Sequence, residues 1–144
     1  MNRVDQLDQD GNTALHYACE NGMMQEALYL ISRMDCVENV NNKGETELML
    51  SCTRDSMFEV SNILIFRTQH IDRLDKQGYN ALMYACRYKS HQIALLLLAM
   101  TNNLEQKATN GETALSLAIA SKMHIIVAEI INRKIKISTQ ISIP

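Results

Sequence analysis

The sequence predicts an all-α solenoid of four stacked helix pairs joined by extended hairpin-like loops, and three observations predict it. Four of the five glycines head similar segments: GNTALHYAC from Gly11, GETELMLSC from Gly44, GYNALMYAC from Gly78 and GETALSLAI from Gly111. They are separated by 33, 34 and 33 residues. A fixed period of this size marks units that cannot bury an apolar face without neighbours. Secondly, the residue four after each glycine is leucine (Leu15, Leu48, Leu82, Leu115), with Ala18, Ser51, Ala85 or Ala118 three places on. Thirdly, the residues 16, 19 and 20 after each glycine are apolar in every unit.

Each unit reads as turn, helix, turn, helix and extended loop. Thr13, Thr46, Asn80 and Thr113 stand ahead of the first helix, where a side-chain oxygen caps unpaired amides. The Leu and small residue three apart share one face of that helix, and the small residue allows close helix-to-helix approach. The second helix carries Ala27/Leu30/Ile31, Val60/Ile63/Leu64, Ala94/Leu97/Leu98 and Val127/Ile130/Ile131. Offsets of three and four make a helical stripe, where a strand needs alternation by two.

These segments resemble the ankyrin repeat family, whose period is about 33 residues and whose signature is Thr-Pro-Leu-His-x-Ala after a turn glycine. The best match is Gly11-x-Thr13-Ala14-Leu15-His16-x-Ala18; the other units have Met49, Met83 and Ser116 in place of the histidine. The signature proline is replaced by Ala14, Glu47, Ala81 and Ala114, and the chain's one proline is Pro144. Near the family's loop Asn stand Glu38, Asp72, Glu105 and Ser138. The resemblance implies an ankyrin-repeat solenoid in a single domain over 1–144, with repeats at about 8–40, 41–74, 75–107 and 108–137 and a tail at 138–144. It also implies that His16 is a structural hydrogen-bonding element linking turns.

Composition narrows the function. With 144 residues, 14 Lys+Arg against 16 Asp+Glu, and 47% hydrophobic residues, the chain has the makings of one packed domain. The net charge of −2 argues against nucleic acid as a partner, because non-specific binding rests on many cations neutralising phosphates. The apolar runs Ile93–Met100 and Ile125–Ala128 are far short of the roughly 20 residues of a bilayer span, so no membrane insertion is expected. No signal-type segment opens the chain and no cysteine pair has CxxC spacing, which fits a reduced, cytoplasmic setting, with the nucleus as the alternative.

No phosphate loop, nucleophile elbow, zinc-protease or calcium motif is present, so the chain reads as non-catalytic, with no cofactor and no metal. Cys19, Cys52 and Cys86 share one place in successive units, where a helix spacing of about 8–10 Å exceeds disulfide reach, and they read as buried small hydrophobes. Cys36 falls in a loop. Met24, Met57, His91 and His124 also share a place and read as a semi-buried contact row.

A protein-binding module, a scaffold or adaptor, is the expected function, with a protein partner of unknown identity on the concave face. The candidate contact residues are Glu45, Arg54, Tyr79, Arg87 and Tyr88, with Lys43 and Lys76 nearby; they combine aromatic area with guanidinium groups, types enriched in binding hot spots. An acidic or mixed-charge segment is the expected occupant. The alternative is a regulatory or targeting segment of a larger enzyme, such as a kinase or ubiquitin-ligase subunit. The polar stretch Asn2–Asp10 suits a water-facing first unit, whereas HIIVAEIINRK in the last unit is as apolar as an internal helix. The last unit is therefore expected to be covered, by a continuing chain or another element, with KIKISTQISIP running as an extended segment onto that end, the alternative being end-to-end self-association through the last repeat.

Overall fold

The computed structural model describes Val4 and residues 6–142, with side chains as far as Ser138. The described residues form four helix pairs: α1 (Ala14–Glu20) with α2 (Met24–Arg33), α3 (Glu47–Ser51) with α4 (Phe58–Arg67), α5 (Ala81–Arg87) with α6 (His91–Met100), and α7 (Ala114–Ala120) with α8 (His124–Ser142). α1, α3, α5 and α7 lie side by side in one layer, and α2, α4, α6 and α8 in a second. The chain is an all-helical solenoid, as the period predicts.

Each first helix starts at an oxygen-bearing side chain. Thr13, Thr46, Asn80 and Thr113 accept the N–H of His16, Met49, Met83 and Ser116 respectively. Such a cap stabilises a helix by about 1 kcal/mol, which matters where the helix has only five to seven residues. Between layers the core runs the length of the stack. Leu15, Leu48 and Leu82 and all four small residues behind them are buried, as are Ala27, Val60, Ala94, Leu64, Leu97, Leu98 and Ile130 of the second helices. Ile63 and Ile131 of that stripe are exposed instead.

The hairpins ahead of α1, α3, α5 and α7 share one hydrogen-bonding scheme. The glycine N–H of residues 11, 44, 78 and 111 donates to the carbonyl of Asp8, Asn41, Asp75 and Ala108. Oδ1 of Asp8, Asn41 and Asp75 accepts two further backbone N–H groups, from Asp10 and Asn12, Lys43 and Glu45, and Gln77 and Tyr79. A side-chain oxygen thus mimics a backbone turn in three of four hairpins. Successive hairpins are tied by Asn42 N–H to Asp10 O, Lys76 N–H to Lys43 O and Thr109 N–H to Gln77 O, at 2.8, 3.0 and 2.9 Å.

On the opposite side, Glu38 and Asp72 hold the loops that follow the next second helix. Glu38 accepts from the Thr68 hydroxyl and the N–H of Gln69 and His70, and Asp72 from the Thr101 hydroxyl and Asn102 N–H. Carboxylates therefore bind neighbouring units together at the place of the family's Asn. Arg67 donates to the carbonyls of Ile31, Met34 and Asp35, satisfying the open C-terminal end of α2 from the next unit.

His16 has the linking role expected of it. The Thr13 N–H donates to its Nδ1 at 3.0 Å, which assigns the proton to Nε2, and Nε2 donates to the Glu45 carbonyl at 3.0 Å. Beside it lies a residue whose importance the sequence concealed. Glu47, at the motif proline place, is fully buried and accepts from Asn39 N–H and the Asn39 amide, each at 2.9 Å, and from the Thr13 hydroxyl.

Three expectations are corrected. α3 is two residues shorter than α1 and is followed by a 3₁₀ turn at Asp55–Met57, which delays α4 by one position relative to the glycine. Met57 drops fully into the core while His91 and His124 stay exposed, so Met24, Met57, His91 and His124 form no semi-buried row. The segment from Lys134 is not extended: α8 continues through Ser142, because neither glycine nor proline interrupts it and isoleucine enters a helix at small cost. Arg133 and Lys134 anchor that continuation on Glu129 and Glu105. Asn2, Arg3, Asp5, Ile143 and Pro144 lie outside the described residues.

The three stacked cysteines are buried and unpaired by disulfides. Burial pushes the thiols of Cys52 and Cys86 up to about 12 and Cys19 also upward, so they remain protonated and inert at neutral pH. Cys36 is exposed.

Candidate functional site

A groove of about 410 Å³ opens between the hairpin tips of the second and third units and the exposed side of α5. The second hairpin contributes Lys43 and Glu45, the third Asp75, Lys76 and Tyr79, and α5 with its C-terminal end Tyr84, Arg87 and Tyr88. Helical spacing sets the last group: Tyr84, Arg87 and Tyr88 are three and four apart, so they share one face.

Three tyrosines form its wall. Tyr79 meets Tyr84 edge-on at 6.3 Å between ring centroids, and Tyr84 stacks on Tyr88 at 6.4 Å. The Arg87 guanidinium sits 5.6 Å from the centroid of the Tyr79 ring, a cation–π geometry that restrains a flexible side chain. Tyr88 remains half exposed.

The carboxylates are turned inward. The Tyr84 hydroxyl lies 2.7 Å from Asp75 Oδ2 and 3.0 Å from Glu45 Oε2, and its single proton donates to one at a time. Asp75 Oδ1 is already taken by two backbone N–H groups, and Glu45 Oε1 by the Asn41 amide at 2.9 Å. Burial, reinforced by these two carboxylates, pushes the Tyr84 hydroxyl well above its usual range, so it stays a donor.

Tyr79 also reaches forward: its hydroxyl donates to Glu112 Oε2 and accepts from the Asn110 amide at 2.9 Å. The bond from Tyr79 holds the Glu112 carboxyl below its ordinary value of 4.5. A depressed carboxylate pKa adds stability at pH values above the unfolded value, and this is lost as pH falls through the folded one.

Of the five residues expected at the interface, Glu45, Tyr79, Arg87 and Tyr88 converge on this groove and Arg54 does not. Arg54 lies in the turn ahead of Asp55–Met57, donates to the Glu20 carbonyl at 3.1 Å and lays its stem against Gly22, closing the end of α1. Tyr79 is 5% exposed and serves as wall more than as contact. The residues missed are Asp75 and Tyr84. Asp75 carried a signal, an Asp or Asn three places before the glycine in three units; Tyr84 shares its place with Tyr17, Leu50 and Leu117, and nothing there singles it out.

Among the described residues, no helix is long and apolar enough to cross a membrane. Helix pairs stacked at a fixed period define a helical repeat protein. The family model of ankyrin repeats (3 copies) matches residues 1–75 and 56–141, and the chain belongs to that family. It is also similar to an ankyrin repeat-containing protein of Treponema pallidum (strain Nichols), 32% identical over 83 residues. That alignment covers 57% of this chain but 28% of the relative, so the chain spans well under half of the relative's length. Ankyrin repeats are in general protein–protein interaction modules.

Proposed function

We propose that the chain is a non-catalytic adaptor that binds a protein segment on its concave face, in the groove between the second and third units. The observation that carries this reading is the groove itself, where four residues of recognition type from three separate elements converge. Replacing Arg87 and Tyr88 with alanine together should abolish partner capture from the source cell while leaving the melting temperature nearly unchanged, since both side chains are exposed. Each such contact is worth roughly 2 kcal/mol or more when it is a hot spot. An unchanged set of captured proteins would reject the site.

A second reading, end-to-end association of two copies, rests on the register of the last unit. The place of Cys19, Cys52 and Cys86, fully buried in each case, is taken by Ile119 at 58% exposure. Likewise the buried Ile31, Leu64 and Leu98 are matched by Ile131 at 41%. At the other end Tyr17 is exposed where Leu50 and Leu117 are buried, so each copy offers both halves of an inter-unit contact. Sedimentation across a wide concentration range should show association that Ile119→Glu removes; a monomer throughout would sink this reading.

A further inference from the structure

We infer that the groove takes an acidic segment of its protein partner, with carboxylates seated among Lys43, Lys76 and Arg87 and a flat or aliphatic side chain laid on Tyr88. This inference rests on the concave-face reading and names the chemistry of its occupant. Both anions are held from within the fold: Asp75 by Gln77 N–H, Tyr79 N–H and the Tyr84 hydroxyl, and Glu45 by the Asn41 amide and that same hydroxyl.

The cations are in the opposite condition. Lys43, Lys76 and Arg87 are exposed at the mouth, and none is within 4.0 Å of a carboxylate oxygen among the described residues. The backbones of Lys43 and Lys76 are adjacent, because the Lys76 N–H donates to the Lys43 carbonyl where the two hairpins are tied. Two lysines rooted on adjoining turns can both reach one anion seated between them. Arg87 is held on the far side by the Tyr79 ring, as a preset fork for a carboxylate. Tyr88, stacked on Tyr84 and half exposed, adds a rigid apolar surface beside them.

A nucleic-acid strand has the same cation-plus-aromatic appetite, but the charge layout disfavours it. Acidic residues bound the basic stretch: the first hairpin carries Asp8 and Asp10, and the fourth sets Glu112 beside Lys107. A phosphodiester chain needs a continuing positive track. A short acidic peptide needs one patch, and the flanking carboxylates then fix where it stops.

The test is fluorescence anisotropy of the whole chain with three pools of short labelled peptides: Asp/Glu-rich, Lys/Arg-rich and uncharged, each containing Tyr and Leu, with an oligouridylate as a fourth probe. The acidic pool should bind at least about tenfold more tightly than the others, and binding should weaken with salt. The Lys43→Glu/Lys76→Glu double variant should lose about tenfold or more for the acidic pool, and Lys43→Gln/Lys76→Gln should fall between. Circular dichroism melting of both variants checks that the fold is kept. Preference for the basic pool, equal or tighter binding of oligouridylate, or acidic-pool binding untouched by the double reversal would each overturn the inference. If the acidic pool fails while cellular capture is still lost in the Arg87→Ala/Tyr88→Ala variant, the chemistry falls and the groove stands. If capture is unaffected as well, both fall.

Discussion

Glu47→Ala is expected to destabilise the protein by roughly 3 kcal/mol, far more than alanine at a surface glutamate such as Glu20, where a change within about 0.5 kcal/mol is expected. The carboxyl is fully buried and its oxygens accept the Asn39 N–H, the Asn39 amide and the Thr13 hydroxyl. Removing it leaves these donors without their acceptor and opens a small void beside His16. Glu47→Gln keeps an acceptor oxygen but brings an amide that also needs acceptors, so its cost should lie between the two. Urea unfolding of the three variants measures this. Hydrogen exchange locates it: Thr13 is in the first unit and Glu47 in the second, so protection should fall in α1 and α3 before α7. A Glu47→Ala protein as stable as Glu20→Ala would show that the buried network contributes nothing net.

Gly44→Ala is the second large effect, and Gly111→Ala is its internal control. Both glycines have positive φ, +79 and +86, so alanine at either meets the left-handed penalty of about 1–2 kcal/mol. The surroundings then separate them. A Cβ on Gly44 would sit 2.9 Å from Lys76 N and 3.1 Å from Asp75 Cα, both backbone atoms of the adjoining hairpin, whereas at Gly111 nothing lies within 4 Å. Gly44→Ala should therefore cost about 3 kcal/mol, and Gly111→Ala only the backbone share. The displaced hairpin bears Asp75 and Lys76, so peptide binding in the groove should suffer with stability at residue 44 and survive at residue 111. Equal melting temperatures for the two variants would show that the hairpins do not press on each other as closely as these distances require.

The residues that specify the fold were those whose chemistry repeats. The glycine period, Leu15, Leu48 and Leu82 and the capping Thr13, Thr46, Asn80 and Thr113 are visible in the sequence because each unit meets the same steric or hydrogen-bonding need with the same kind of residue. Glu47 stayed hidden because it occurs once in its series, a carboxyl where the others have alanine, and Tyr84 because its series alternates tyrosine with leucine (Tyr17, Leu50, Tyr84, Leu117), so the place marks no single role. Their partners, Asn39 and Glu45, sit 8 and 39 residues away, at distances no local periodicity encodes. Arg54 stands apart from that groove for a local reason. Residue type and approximate place suggested a contact, but the shortened α3 turned the side chain toward Glu20. The extended C-terminal segment failed because alternating Ile and Lys suits a strand edge, while an established helix with no breaker continues more readily than a new element starts.

The three hairpin ties have a direction. In each, the later hairpin supplies the N–H and the earlier one the carbonyl: Asn42 to Asp10, Lys76 to Lys43, Thr109 to Gln77. The stack is therefore polar in the way an α-helix is, with an end that offers acceptors and an end that offers donors. Asn110 occupies in the fourth hairpin the place of Asp10, Lys43 and Gln77, so its carbonyl aims at whatever stands next in the row. A unit fused or docked there must arrive with its own hairpin N–H leading, and one presented in the reverse sense would set carbonyl against carbonyl. For a designer grafting repeats onto this chain, orientation is fixed by the backbone before any side chain is chosen.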